Sequence, residues 1–277
     1  MSRPQRVIPV REPARLLQYC ASIGVLLLFS AFATAQSYPT KTIRVIAPFA
    51  PGGGADYLGR LTGQYLTEVI GQSVVVENRV GAAGIIGYEY GLKSPPDGYT
   101  LTVVSTSYGI IPSLFKLPYD PVKDIQPITS FSRGPYIVTV HPSLPVKNVK
   151  ELIALAKAHP GTINYASSGN GGNVHLVTEM FASMTGTKFV HIPYKGTGPG
   201  VTDTIAGQTQ MVIGSMSATF QYVRAGRLRG LAITSAQRIP VAPDLPTVME
   251  SGVPGFDTDR KSTRLNSSHI PLSRMPS

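Results

Sequence analysis

The chain has 277 residues, 42% of them hydrophobic, a formal net charge of +10 and one cysteine. Four arginines against Glu12 place +3 in residues 1–35 and four basic residues place +4 in residues 260–277, so only +3 remains over residues 36–259, where 17 basic and 14 acidic side chains are scattered without a basic stripe. This distribution argues against a nucleic-acid partner, and a lone cysteine, Cys20, cannot form an internal disulfide.

Residues 1–35 read as a signal peptide. Arg3, Arg6, Arg11 and Arg15 form a basic start, Ala21 to Phe32 an apolar run, and Ala33-Thr34-Ala35 a cleavage site. The run falls short of the ~20 residues a membrane span needs. Cys20 precedes most of it, which is badly placed for lipid attachment. The mature protein is therefore expected to be exported and soluble, with no cysteine.

Ile43 to Ile70 is the stretch around which the rest is organised. The β-branched Ile43, Val45 and Ile46 suit a buried strand, and Pro48 and Pro51 stop it. Gly52, Gly53 and Gly54 then expose backbone N–H groups where an amphipathic helix begins, a place suited to a small anion. Asp56, in the first helical turn, either caps the helix or orients a ligand. Ser73 to Glu77 is a second strand, Ala82 to Gly91 a helix of small residues and Thr100 to Ser105 a third strand, which together make the alternation of a parallel sheet with crossover helices. Ile125 to Val140 is extended and interrupted at Gly134-Pro135, as a segment crossing between domains would be.

The strand, glycine-rich turn and helix pattern then recurs twice. After a helix over Val149 to Ala158, Ile163 to Ala166 is a strand, Ser167 to Gly172 a turn and Val174 to Met184 a helix. Phe189 to Ile192 is a strand, Tyr194 to Gly198 a turn and Val201 to Ala206 a short helix. Met211 to Gly214 and Leu228 to Thr234 are further strands, the latter a second crossing back to the first domain. From Arg260 the periodicity stops, and no strand or helix is expected in residues 260–277.

Glycine- or serine-rich turns on two domains suggest a cleft in which helix starts hold a carboxylate from both sides; tight turns of a parallel sheet would look the same. Ser168 with His175 resembles a nucleophile and base, but a hydrolase elbow needs glycine where Ala166 stands. The five histidines lack metal-ligand spacing, and no dinucleotide or phosphate-loop pattern is present. Lys195 could touch an anion or be a solvated loop charge.

These residues also carry a family resemblance. Tyr38-Pro39, Ile43 to Ile46 and Pro48 to Asp56 are followed in order by Val76 to Arg79, Gly81 to Gly84, Asp97 to Leu101, Tyr165 to Gly169, His191 to Gly196, Gly226 to Arg229 and Leu245 to Val248. The chain resembles the tripartite tricarboxylate transporter solute-binding proteins, or Bug proteins. The resemblance implies a periplasmic receptor of two α/β domains of the type II periplasmic binding protein kind, joined by crossing hinge strands with a ligand cleft between them. Its domains would be residues 36–132 and 133–228, with 229–259 returning to the first. It implies a small organic carboxylate as ligand, membrane transporter subunits as partners, a monomer, no cofactor and no catalysis. The implied ligand-binding residues are Phe49, Pro51, Gly52, Gly53, Gly54 and Asp56 on one side, with Ser167, Ser168, Gly169, Gly171, His175, Tyr194, Lys195, Gly196 and Gly198 on the other. An exported hydrolase or transferase using Ser168, and a carboxylate sensor domain, are the alternatives. Family members continue beyond the Gly255-Phe256 position with further structure, whereas residues 260–277 resemble translated sequencing adapter. The chain is therefore expected to lack part of its first domain and to be poorly stable.

Overall fold

A computed structural model describes residues 38–258 and 262–267. The expected signal peptide, residues 259–261 and residues 268–277 lie outside the described residues.

Two five-stranded sheets organise the chain. The first begins with β1 (Ile43–Ala47), α1 (Gly54–Ile70), β2 (Val74–Asn78), α2 (Ile85–Leu92) and β3 (Thr100–Val104). β1 lies between β2 and β3, parallel to both. Such a central strand is covered on both faces, which explains why Val45, Ile46 and Ala47 are fully buried and why β3 is buried throughout. α1 lies closely on this sheet because it turns Gly59 and Gly63 inward; a Cβ added at Gly59 would touch Val103 at 3.4 Å and Val76 at 3.5 Å. Ile43, Val45, Leu101 and Val103 form the apolar cluster beneath it.

The extended run divides as its Gly134-Pro135 break suggests. β4 (Gln126–Arg133) belongs to the first sheet and β5 (Tyr136–Val140) to the second, so the chain changes lobes between them. The second lobe continues with α3 (Val149–Ala158), β6 (Asn164–Ser167), α4 (Asn173–Thr185), β7 (Val190–Pro193), α5 (Thr197–Ile205), β8 (Met211–Ser215), α6 (Met216–Arg224) and β9 (Arg229–Ile233). Its strand order is β7-β6-β8-β5-β9, with β6 parallel to β7 and β8 and with β5 antiparallel to β8 and β9.

Two expectations are corrected. β9 does not cross back: it pairs with β5, and Leu231, Ala232, Val248, Val253 and Phe256 pack with Val138, Tyr165 and Phe181 in the second lobe's core. The apolar residues of 229–258 are thus spent on the second sheet, not on a return to the first. The segment read as free of strands also contributes one, β10 (Ser262–Ser267), antiparallel to both β3 and β4. Its polar sequence carries no apolar alternation, and backbone pairing on two sides supplies what the side-chain pattern does not signal. α6 went unanticipated altogether.

Candidate functional site

Four helices start at one place between the lobes. A cavity of about 70 Å³ is lined by Gly53, Gly54 and Ala55 at the start of α1, Asn173 and Val174 at the start of α4, Thr197 at the start of α5 and Ser215 just before α6, together with Phe49, Ser105, Tyr136 and Ser168. The residues preceding these helices are Gly53, Gly172, Gly196 and Ser215, and at none of the four does a side chain cap the helix. α3, away from the cavity, is capped by Asn148, whose side chain accepts from the Glu151 N–H. A helix start without a cap keeps unpaired N–H donors and the positive end of the helix dipole. Here four such ends meet hydroxyls and one amide, and among the described residues no charged side chain lines this cavity.

Asn173 has a buried Oδ1 without a hydrogen-bond partner, so its amide can turn either end toward a ligand. Burial pushes the Tyr136 hydroxyl up to about 12, with the neighbouring Asn173 amide opposing, so Tyr136 is a neutral donor at physiological pH.

A second cavity, of about 260 Å³, shares Phe49 and Ser168 with the first and extends past Gly81 to Gly84, Phe115, Gly169, Asn170, Tyr194 and Lys195. Its floor is strained. Ala82 (φ 46°) and Ala83 (φ 53°) sit in the left-handed region between Gly81 (φ 132°) and Gly84 (φ 98°), a run that alanine adopts only when surrounding structure enforces it.

Of the residues inferred from the sequence, Phe49, Gly53, Gly54, Ser168, Gly169, Tyr194 and Lys195 line one or both cavities. Pro51, Gly52, Gly196 and Gly198 instead form the seam between lobes: the Ala50 N–H donates to the Lys195 carbonyl at 3.0 Å, and a Cβ on Gly196 would lie 2.7 Å from the Ala50 nitrogen.

Asp56 faces inward. It accepts from the Gly52 N–H at 3.1 Å, from Asn78 at 2.9 Å and from Arg60, while Asn78 also donates to the Phe49 carbonyl. Burial alone would raise its carboxyl, but the bonds from Arg60, Asn78 and Gly52 and the Arg60 charge outweigh it and hold the group below the ordinary carboxylate range. Asp56 therefore positions the Phe49 to Gly53 loop from behind.

Ser167 is buried and pairs with His191 Nε2 at 2.5 Å while accepting from the Gly169 N–H. His191 stacks on both His175 and Tyr165, and His175 Nδ1 accepts from the Gly171 N–H at 3.2 Å. These groups brace the Ser167 to Gly171 loop. The hydroxyl and histidine that meet are Ser167 and His191, not Ser168 and His175. No group of three or more His, Cys, Asp or Glu side chains that could hold a metal ion occurs among the described residues.

Thr197 belongs to the Tyr194 to Gly198 turn expected at the cleft, whereas Ser105, Tyr136, Asn173, Ser215 and Phe115 were not anticipated as cavity residues. Only helix starts in Ser or Gly that lacked a capping partner could have signalled some of them.

The profile of the tripartite tricarboxylate transporter family receptors, TctC, matches residues 58–262. The chain belongs to this family. Its TctC relatives include Protein BugT of Bordetella pertussis, 38% identical over 85% of this chain and 74% of BugT. Among solved structures, R. palustris Rpa4515 with adipate is 36% identical, with a TM-score of 0.82 over 85% of this chain and 80% of that one. MatC from Rhodopseudomonas palustris with bound malate is 29% identical, with a TM-score of 0.79 over 83% and 79%. The two-lobed α/β binding-protein architecture of this TctC receptor is shared with them.

Proposed function

We propose that this chain is an exported periplasmic receptor that captures a small organic carboxylate by closure of its two lobes and delivers it to the membrane subunits of a tripartite tricarboxylate-type transporter. It acts as a monomer, without catalysis or cofactor. The observation that carries this reading is the meeting of four uncapped helix starts, one from the first lobe and three from the second, in a cavity that no charged side chain among the described residues lines. Each helix end contributes ~0.3–1 kcal/mol, up to ~2 when partly buried, and with several hydroxyl bonds a micromolar affinity of about −8 kcal/mol is reasonable. The adipate and malate held by two relatives support the ligand class.

The reading is tested by calorimetry and thermal shift with aliphatic mono-, di- and tricarboxylates. Saturable binding with stabilisation that grows with ligand concentration is expected. Turnover of ester substrates that disappears in Ser168→Ala would favour the hydrolase alternative instead. Capture of a signalling protein in place of transporter subunits would favour the sensor.

A further inference from the structure

Tyr88, on α2, is wholly buried, and its ring is held in place: the Tyr108 ring meets it edge-on at 5.0 Å, and a Cβ on Gly84 would lie 2.9 Å from it. Its hydroxyl ends 2.9 Å from Oγ of Ser105, which follows β3 and lines the smaller cavity. Ser105 Oγ is in turn 2.9 Å from Oγ of Ser107, which is also wholly buried. Among the described residues, neither the Tyr88 nor the Ser107 hydroxyl donates to any other acceptor.

The direction of these bonds follows from counting protons. The Ser105 N–H donates to the Tyr88 oxygen at 3.3 Å, which uses the phenol as acceptor and leaves its own proton to give. Burial raises the phenol, with Ser105 and Ser107 opposing, so that proton stays on at physiological pH. A hydroxyl carries one proton and two lone pairs. Two oxygen-to-oxygen contacts hold two protons, yet three hydroxyls bring three. When Tyr88 and Ser107 both donate to Ser105, its lone pairs are filled and its own proton is the one left over. Ser105 alone of the three lines the cavity, so the surplus proton has only the cavity in which to find an acceptor. An ionised carboxylate is an acceptor and nothing else.

Resting on the carboxylate reading above, we propose that Tyr88 and Ser107 are positioning residues: by donating to Ser105 from behind, they make its hydroxyl a fixed donor toward the bound carboxylate. Neither of them lines the cavity. A hydroxyl that already accepts two bonds also donates more strongly. The first lobe thus adds to the start of α1 a side-chain donor whose direction is set by buried neighbours.

The test is a double-mutant cycle read by calorimetry. Malate, adipate and citrate are titrated into the wild type, and the tightest of the three is followed through Ser105→Ala, Tyr88→Phe, Ser107→Ala and the two double variants that contain Ser105→Ala. Ser105→Ala should weaken binding about tenfold, as loss of one charge-assisted bond does, and Tyr88→Phe and Ser107→Ala about threefold each. On the Ser105→Ala background neither should weaken binding further, because both act through the missing hydroxyl; a role confined to packing would add its full effect on either background. Ser107→Ala keeps the acceptor of the Ser105 N–H in place, so it carries the test if Tyr88→Phe does not melt cooperatively. Wild-type affinity in Ser105→Ala, wild-type affinity in the folded Tyr88 and Ser107 variants, or losses that persist undiminished on the Ser105→Ala background would overturn the proposal and leave the carboxylate receptor standing. Failure of the wild type to bind any of the three acids would overturn both.

Discussion

Gly198 and Pro51 face each other across the lobes so closely that a Cβ on Gly198 would lie 2.0 Å from the Pro51 carbonyl oxygen. No rotamer relieves such an overlap, because both partners are backbone. Gly198→Ala is expected to fold with nearly wild-type thermal stability when ligand-free but to resist the closed arrangement, lowering carboxylate affinity by about tenfold or more through loss of the binding-competent population. Calorimetry with the best ligand of the wild type, together with small-angle scattering, measures both effects. Wild-type affinity in the variant would show that the seam yields.

Asp56 supports the first-lobe loop by charge as well as by hydrogen bonds. Asp56→Ala leaves the Gly52 N–H, Asn78 and Arg60 without their shared acceptor and should destabilise the protein by about 2–3 kcal/mol in urea denaturation. The pH dependence follows in sign. A carboxyl held below its unfolded value contributes stability that is complete above the unfolded value near 4 and is lost as pH falls through the folded one. The wild type should therefore lose more stability than Asp56→Asn on acidification below about pH 4.

Burial, and secondarily the neighbouring His175, holds His191 below the ordinary imidazole range, while Glu179 opposes them more weakly. Unfolding raises its proton affinity, so stability present at neutral pH declines as pH falls below the unfolded value of about 6.5. Melting temperature should fall from pH 7 to pH 5, and the slope should flatten in His191→Gln. An unchanged slope in that variant would remove His191 from the account.

Arg229 fastens the second lobe away from the cavities. Its guanidinium donates to the carbonyls of Pro142, Leu144 and Val146, at 3.3, 3.0 and 2.8 Å. Arg229→Met should cost about 1.5–3 kcal/mol in denaturant unfolding and leave carboxylate affinity unchanged, which makes it a control for stability effects on binding.

Much of this arrangement was legible in the chain. The β-branched run before Pro48, the glycines after it and the amphipathic spacing of α1 specify a strand, turn and helix locally, and the Gly134-Pro135 interruption marks where β4 gives way to β5. What stayed hidden depends on topology. Ser105, Tyr136 and Ser215 sit at strand ends, where single polar residues look like ordinary caps. Only the order of strands in the second sheet brings Tyr136 and Ser215, which are adjacent partners on β5 and β8, to the same cavity. Ser167 and His175 carry the chemistry of a site, yet the structure turns them toward each other's loop through His191. β9 is apolar enough to suit either lobe, and only the packing of Phe256 and Val248 behind it decides.

The division of the four helix starts has a consequence for release. α1 belongs to one lobe and α4, α5 and α6 to the other, so neither lobe alone surrounds an anion. Backbone dipoles cannot swing aside as an arginine can, and their field is fixed once the lobes meet. On the proposed carboxylate reading, separating the lobes would dismantle the site as a unit, and whatever pries Ala50 from Lys195 would release the anion.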